Sequence, residues 1–308
     1  MLTLYKARSV ITMNPSMPRA SAVLVRDGNI LEVGEPERMQ PWLEGQQFRL
    51  DEQFADKVIC PGFIDPHLHP SMAAVLLPME FITAMRWKLP WGDVEPVSDL
   101  PAFDARMQAL HRSKPAEEPL FIWGYHQLWH GEMDKARIQQ VSDQRPIIVW
   151  HRSFHELYMN DPAMSAAGID PAQIKPGLQI DIDKGRFFEL GLGFAINRLN
   201  PWILAPEKYA QGLGRLKQVV HHGGHTSIGD LATGLFNLDA EAKALTEQLE
   251  GDDVPFRTRL VVHGTRLTKG GRKPEEGPAM AADLLRHNSH RLSFGRHIKL
   301  FSDGAFFS

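Results

Sequence analysis

Cysteine is almost absent from this chain. Cys60 is its one representative and cannot form an internal disulfide, which fits a reducing compartment such as the cytoplasm. Long apolar runs are missing too. Nowhere do about 18 apolar residues follow one another, so no membrane span is expected. The N-terminal stretch alternates and breaks at prolines, without the continuous apolar core of a signal peptide. No long basic run occurs, and the formal net charge is -3. Neither nucleic acid nor an anionic membrane is therefore expected as the main partner. Internal repeats and low-complexity segments are also lacking. What remains is an ordinary globular composition, 43% hydrophobic and 23% charged over 308 residues, enough for a large core and one or two domains.

The first 60 or so residues read as short strands and turns. In "SAVLVRDGNILEVG", two β-forming runs flank Asp27-Gly28-Asn29, a strong hairpin signal. "KVICPGFID" resumes as a buried strand. Beyond it the texture changes. Helical stretches such as "PEKYAQGLGRLKQVVHHG" and "LDAEAKALTEQLEG" alternate with the apolar runs "HTSIGDLA", "FRTRLVVHG" and "HIKLFSDGA". That alternation predicts a parallel sheet with crossover helices. The stretch from about 70 to 200, rich in Pro and Trp, reads as an irregular insertion.

The chemistry concentrates in "PGFIDPHLHP", Pro61 to Pro70. Residues two apart on a strand share a side, so His67 and His69 present two imidazoles together, with Asp65 on the same side if the strand stays regular. Neutral imidazole is the commonest metal ligand. Two ligands do not close a site, which ordinarily takes four. The bland alternative is a pair of neighbouring structural histidines. The position just past an apolar strand, where active sites of α/β barrels lie, favours the metal.

With its small β unit ahead of it, "GFIDPHLH" resembles the metal-binding signature of the amidohydrolase superfamily, and the chain resembles in particular the YtcJ-like branch of metal-dependent hydrolases. "ARSVITMNPSMPRASAVLVRDGNILEVGE", "PIIVWHRSFHELYMNDPAM", "GHTSIGD" and "HIKLFSDGA" resemble further landmarks of that branch, in the expected order. The resemblance implies a β-sandwich-like segment over 1–60 and a distorted (β/α)8 TIM barrel over 61–308, of which only the first half, strands 1 to about 4, is present. It implies a small-molecule substrate, and hydrolysis of an amide-like C–N bond other than a peptide bond by water that a metal activates. The expected cofactor is one or two divalent ions, zinc first among them.

Carried over residue by residue, His67 and His69 match the first ligand pair, and Lys299 matches a strand-4 lysine that is often carboxylated in the superfamily. An uncarboxylated lysine paired with an acid is the alternative. His155, Asn160, Asp303, His126 and Trp123 are expected around the substrate. The alternative for Trp123 is core packing, and for Asp303 a turn cap. The histidines of strands 5 and 6 have no counterpart, and the superfamily's proton-accepting Asp is expected beyond Ser308, so the catalytic residue stays unassigned. His263, ending "RLVVHG", is the best-placed substitute ligand. Half a barrel leaves strand edges and an apolar face open. A C-terminal remainder, a second chain or a homo-oligomer is the expected complement. The alternative function is a truncated, non-catalytic fragment or pseudoenzyme that associates with a partner chain.

Overall fold

The computed structural model describes residues 1–267 and 273–300. The chain divides into two units, Met1–Phe63 and Ile64–Ser308. In the first, β1 (Leu2–Ile11), β2 (Arg19–Arg26), β3 (Asn29–Gly34) and β4 (Phe48–Ile59) form one sheet in the order β3-β2-β1-β4. The β2–β3 hairpin closes through Asp27 and Gly28 at φ 49° and 80°. Positive φ at both central residues suits the right-handed twist of the flanking strands. Next to it β1 pairs antiparallel with β2 and parallel with β4. Leu2, Leu4, Ala22 and Leu24 meet Met39 and Leu43 in a small core. The unit is a single sheet, where the sequence suggested a sandwich-like segment.

β5 (Phe63–Leu68) begins with the last residue of the first unit and continues into the second, where the helix Pro70–Leu76 follows. The stretch expected to be irregular is instead organised. Its strands are β6 (Glu80–Phe81), β7 (Trp87–Leu89), β8 (Gly92–Val94), β9 (Leu120–Tyr125), β10 (Ile147–His151), β11 (Glu156–Met159), β12 (Ile180–Asp181) and β13 (Arg186–Phe188). Six of them make a sheet in the order β12-β13-β11-β10-β9-β6, and β7–β8 form a separate ribbon. β6, β9 and β10 run parallel, and the other pairs antiparallel. "IIVWH" in β10 is buried throughout, as expected of a strand covered on both faces. Asp99 starts the helix Leu100–Ser113, accepting the Ala102 N–H at 2.8 Å.

The last strands, β14 (His225–Thr233), β15 (Arg257–His263) and β16 (Leu292–Lys299), form a second sheet with β5 in the order β16-β15-β14-β5. β14, β15 and β16 are parallel neighbours in chain order. Helices Pro206–His222, Leu238–Leu249 and Gly277–Leu284 alternate with these strands, as the sequence pattern predicts. Gly212 lets the first of them close on the helix that follows β5: a Cβ there would collide with the Ala74 carbonyl oxygen at 1.9 Å. Leu213, Leu216, Ile228, Leu245, Phe256, Leu260 and Phe294 share one core. The fold is thus mixed α/β with several sheets, and among the described residues no sheet closes into a barrel. No helix among them is long and apolar enough to cross a membrane.

Candidate metal centre

The tail of β5 leaves its ladder in a defined way. Pro66 has no N–H to give, and the His67 N–H is taken by Asp65 Oδ1 at 3.0 Å. Asp65 therefore braces the turn with its side chain. His69 is the N-cap of the helix Pro70–Leu76, whose first residue is proline. The two rings that result lie 5.1 Å apart, edge to face, with His67 exposed and His69 partly buried.

β14 comes close to this tail. Gly229 makes that approach feasible, since a Cβ there would sit 2.8 Å from the Pro66 carbonyl oxygen. The next residue, Asp230, is buried. Its Oδ1 accepts the Ala232 N–H at 3.0 Å, and its Oδ2 accepts the Thr233 hydroxyl at 2.6 Å. Oδ1 also lies 3.6 Å from His69 Nδ1, an atom that is buried and has no hydrogen-bond partner among the described residues. Asp230 was not singled out from sequence. It stands inside the quoted "GHTSIGD", but a lone Asp near a strand end reads as a turn residue.

Lys299 ends β16 in register with His263, which ends β15. Both sit at the C-terminal ends of parallel strands, where loops build sites in such folds. His263 Nδ1 accepts the Thr265 N–H at 3.3 Å and lies 2.9 Å from its hydroxyl. Among the described residues no three His, Cys, Asp or Glu side chains are grouped to hold a metal ion. The pair His67–His69 fits the first two places of a metal site by donor type and spacing.

Of the other expected residues, Trp123 lies in β9 of the six-stranded sheet, and His126, His155 and Asn160 lie beside the ends of its strands. Asp303 falls outside the described residues. Trp123 is buried among aromatics, stacked on Phe154 at 5.5 Å and packed against Phe81 and Trp87. Asn160 caps the helix Asp161–Ala166. It accepts from Ile147 and Ala163 N–H at 3.0 and 3.1 Å and donates to Ser142 and Arg145 carbonyls at 3.0 and 2.8 Å. Those four bonds fill its capacity. His126 accepts the Leu128 N–H through Nδ1 at 3.1 Å, and its ring lies 4.9 Å from that of His151. Burial lowers the pKa of His126 and of its neighbour His130, and pulls His151 down to about 4. His155 Nδ1 meets Glu189 Oε1 at 2.8 Å on a half-buried surface. Glu189 (φ 45°) and Phe154 (φ 63°) both adopt left-handed backbone there.

A cavity of about 680 Å³ opens elsewhere in this unit, among Phe81, Trp91, Phe121, Trp202 and Arg215, and touches neither β5 nor β14–β16.

No family model matches the chain. It is 25% identical over 173 residues to the exoenzymes regulatory protein AepA of Pectobacterium carotovorum subsp. carotovorum, covering 54% of the chain and 35% of that protein. Its structure resembles that of an uncharacterized metal-dependent hydrolase from Pyrococcus horikoshii OT3, with a TM-score of 0.70 at 18% identity over 99% of the chain. A second such hydrolase, from Pyrococcus furiosus, gives 0.69 at 18% identity, again over 99% of the chain. The chain spans 55% and 57% of those two proteins. At this identity the likeness concerns the fold, and the fold is the one these two Pyrococcus proteins share.

Proposed function

We propose that the chain is part of a metal-dependent hydrolase of the amidohydrolase type, acting on an amide-like C–N bond of a small molecule. The observation that carries this reading is the side-by-side pair of imidazoles at the end of β5, with His69 Nε2 making no hydrogen bond among the described residues. His67 and His69 hold a divalent ion, zinc first among the candidates, and Lys299, in carboxylated form, is proposed as a further ligand. A bound ion supplies Lewis acidity and an activated water at neutral pH. The chain's own residues hold and orient it: Asp65 fixes the turn, and Gly229 lets β14 close on it. His155, oriented by Glu189, and His126 are proposed to face the substrate, while Trp123 and Asn160 keep the layer beneath in shape.

The sheet β16-β15-β14-β5 is proposed as the first half of a barrel. Ile64 on one edge strand is 71% exposed, and on the other side Ile298 and Leu300 are 50% and 69% exposed. Parallel sheets are ordinarily covered on both faces. These side chains support a complement of further strands, from additional polypeptide or a partner chain. The protein's working site is proposed to be cytoplasmic, in line with its single exposed cysteine.

The test is hydrolysis of a panel of formamides, N-acyl amines and cyclic amides before and after chelation. Activity that a chelator abolishes and Zn²⁺ restores supports the reading. Full activity in metal-free protein overturns it.

A further inference from the structure

We propose that Asp230 is a positioning residue for His69, holding the imidazole so that Nε2 faces the metal. The proposal rests on the metal reading above. It starts from a polar atom without a partner. His69 Nδ1 is buried and forms no hydrogen bond among the described residues, yet a buried carboxylate oxygen, Asp230 Oδ1, lies 3.6 Å away. That distance is too long for a hydrogen bond, and a small rotation of the ring would close it.

The carboxylate is not free to follow the ring. The Ala232 N–H holds one oxygen and the Thr233 hydroxyl holds the other. Gly229 keeps β14 close to β5 at this point. Asp230 is thus a fixed acceptor and His69 is the part that moves. Each Asp230 oxygen engages one of those donors, and a carboxylate oxygen accepts two hydrogen bonds. A proton on Nδ1 can therefore be donated to Oδ1. That fixes the tautomer, leaves the Nε2 lone pair for the metal and makes the ring a stronger ligand. A purely structural Asp230 would do no more than shape the end of β14.

The two roles separate in Asp230→Asn. Asparagine still accepts the Ala232 N–H and still reaches the Thr233 hydroxyl, so the backbone turn is kept while the negative charge is lost. Affinity for Zn²⁺ and for Co²⁺ is measured by competition with a chromophoric chelator. The expected result is metal binding about 10- to 100-fold weaker, with an unchanged circular-dichroism spectrum. Thr233→Val loosens the carboxylate without removing it and should weaken binding by a smaller factor. It also serves as the test should Asp230→Asn fail to fold. Nitrogen-15 shifts of the His69 ring give a readout without metal: a single Nδ1–H tautomer in the unchanged protein and a mixture in Asp230→Ala, which leaves no acceptor facing Nδ1. Equal metal affinity in all three proteins, or a His69 tautomer that ignores Asp230, overturns the proposal. An unchanged protein that binds no metal overturns the metal reading instead, and the tautomer measurement then still decides whether Asp230 orients His69.

Discussion

The four- and six-stranded sheets of the second unit both carry histidines near the ends of their strands, and they bond His69 and the pair His130 and His151 differently. Beside the six-stranded sheet, in the short helix Gln127–His130 that follows β9, His130 Nε2 meets the Val97 carbonyl oxygen at 2.8 Å and its Nδ1 accepts the His126 N–H at 3.1 Å. His151 uses both ring nitrogens as well, on Ser153 Oγ at 2.7 Å and Gln127 Oε1 at 3.0 Å. At the end of β5, His69 has a buried nitrogen facing a carboxylate across a gap and another with no hydrogen bond among the described residues. A histidine whose nitrogens are both bonded to the protein is part of the scaffold. A nitrogen left over serves a metal only next to a second donor that also has one to spare, as at His69, whose ring lies 5.1 Å from that of His67. Fourteen histidines therefore say little as a count, and the bonding of each says much.

This contrast can be broken by substitution. Asn160→Ala should be the most damaging change on the scaffold side. It leaves two N–H groups and two carbonyls without their partner, and a loss of about 3–4 kcal/mol in denaturant unfolding is expected. Metal binding per folded molecule should be unaffected. A loss under about 1 kcal/mol would mean that water replaces the side chain there.

Acid offers a second test. His151 is held neutral by burial, its pKa falling from 6.5 to about 4. The unfolded chain then binds the proton more readily than the folded one. The stability this contributes is complete above pH 6.5 and is lost as pH falls toward 4, by about 3 kcal/mol in all. His151→Asn should remove about one proton's worth of slope from unfolding free energies in that window. An unchanged slope would show that the ring is protonated in the folded state.

Gly229→Ala sharpens the other side of the comparison. The added methyl meets backbone at Pro66, so β5 must shift. A cost of about 1–3 kcal/mol is expected, together with weaker metal binding. The smallest effect is a control remote in function: Asp99→Ala removes a helix cap and should cost about 1 kcal/mol with metal binding intact.

Much of this was legible in the sequence. "HTSIGDLA" and "FRTRLVVHG" became β14 and β15, and Asp27-Gly28 closed its hairpin. The spacing of His67 and His69 was enough to place two rings together. Apart from β10, the layer between 70 and 200 was not legible. Several of its strands, such as β6 and β12, are two residues long, too short to show a period. Nor could the sequence reveal what Asn160 holds. A single Asn after a strand reads the same as a pocket residue or as a cap, and its partners at Ser142 and Arg145 come from another loop. Asp230 escaped for a similar reason: its tie to His69 is made only when β14 lies beside β5.

The central claim is that His67 and His69 hold a metal ion while the histidines of the six-stranded sheet do not. It is tested most directly by metal content after equilibration with Zn²⁺ and desalting, on the unchanged protein, on the double variant His67→Ala/His69→Ala and on His151→Asn. The account predicts about one or two ions per chain in the unchanged protein and in His151→Asn, and under about a tenth of that in the double variant, with its circular-dichroism melting curve unchanged. Equal metal in the unchanged protein and the double variant, or none in either, would contradict it.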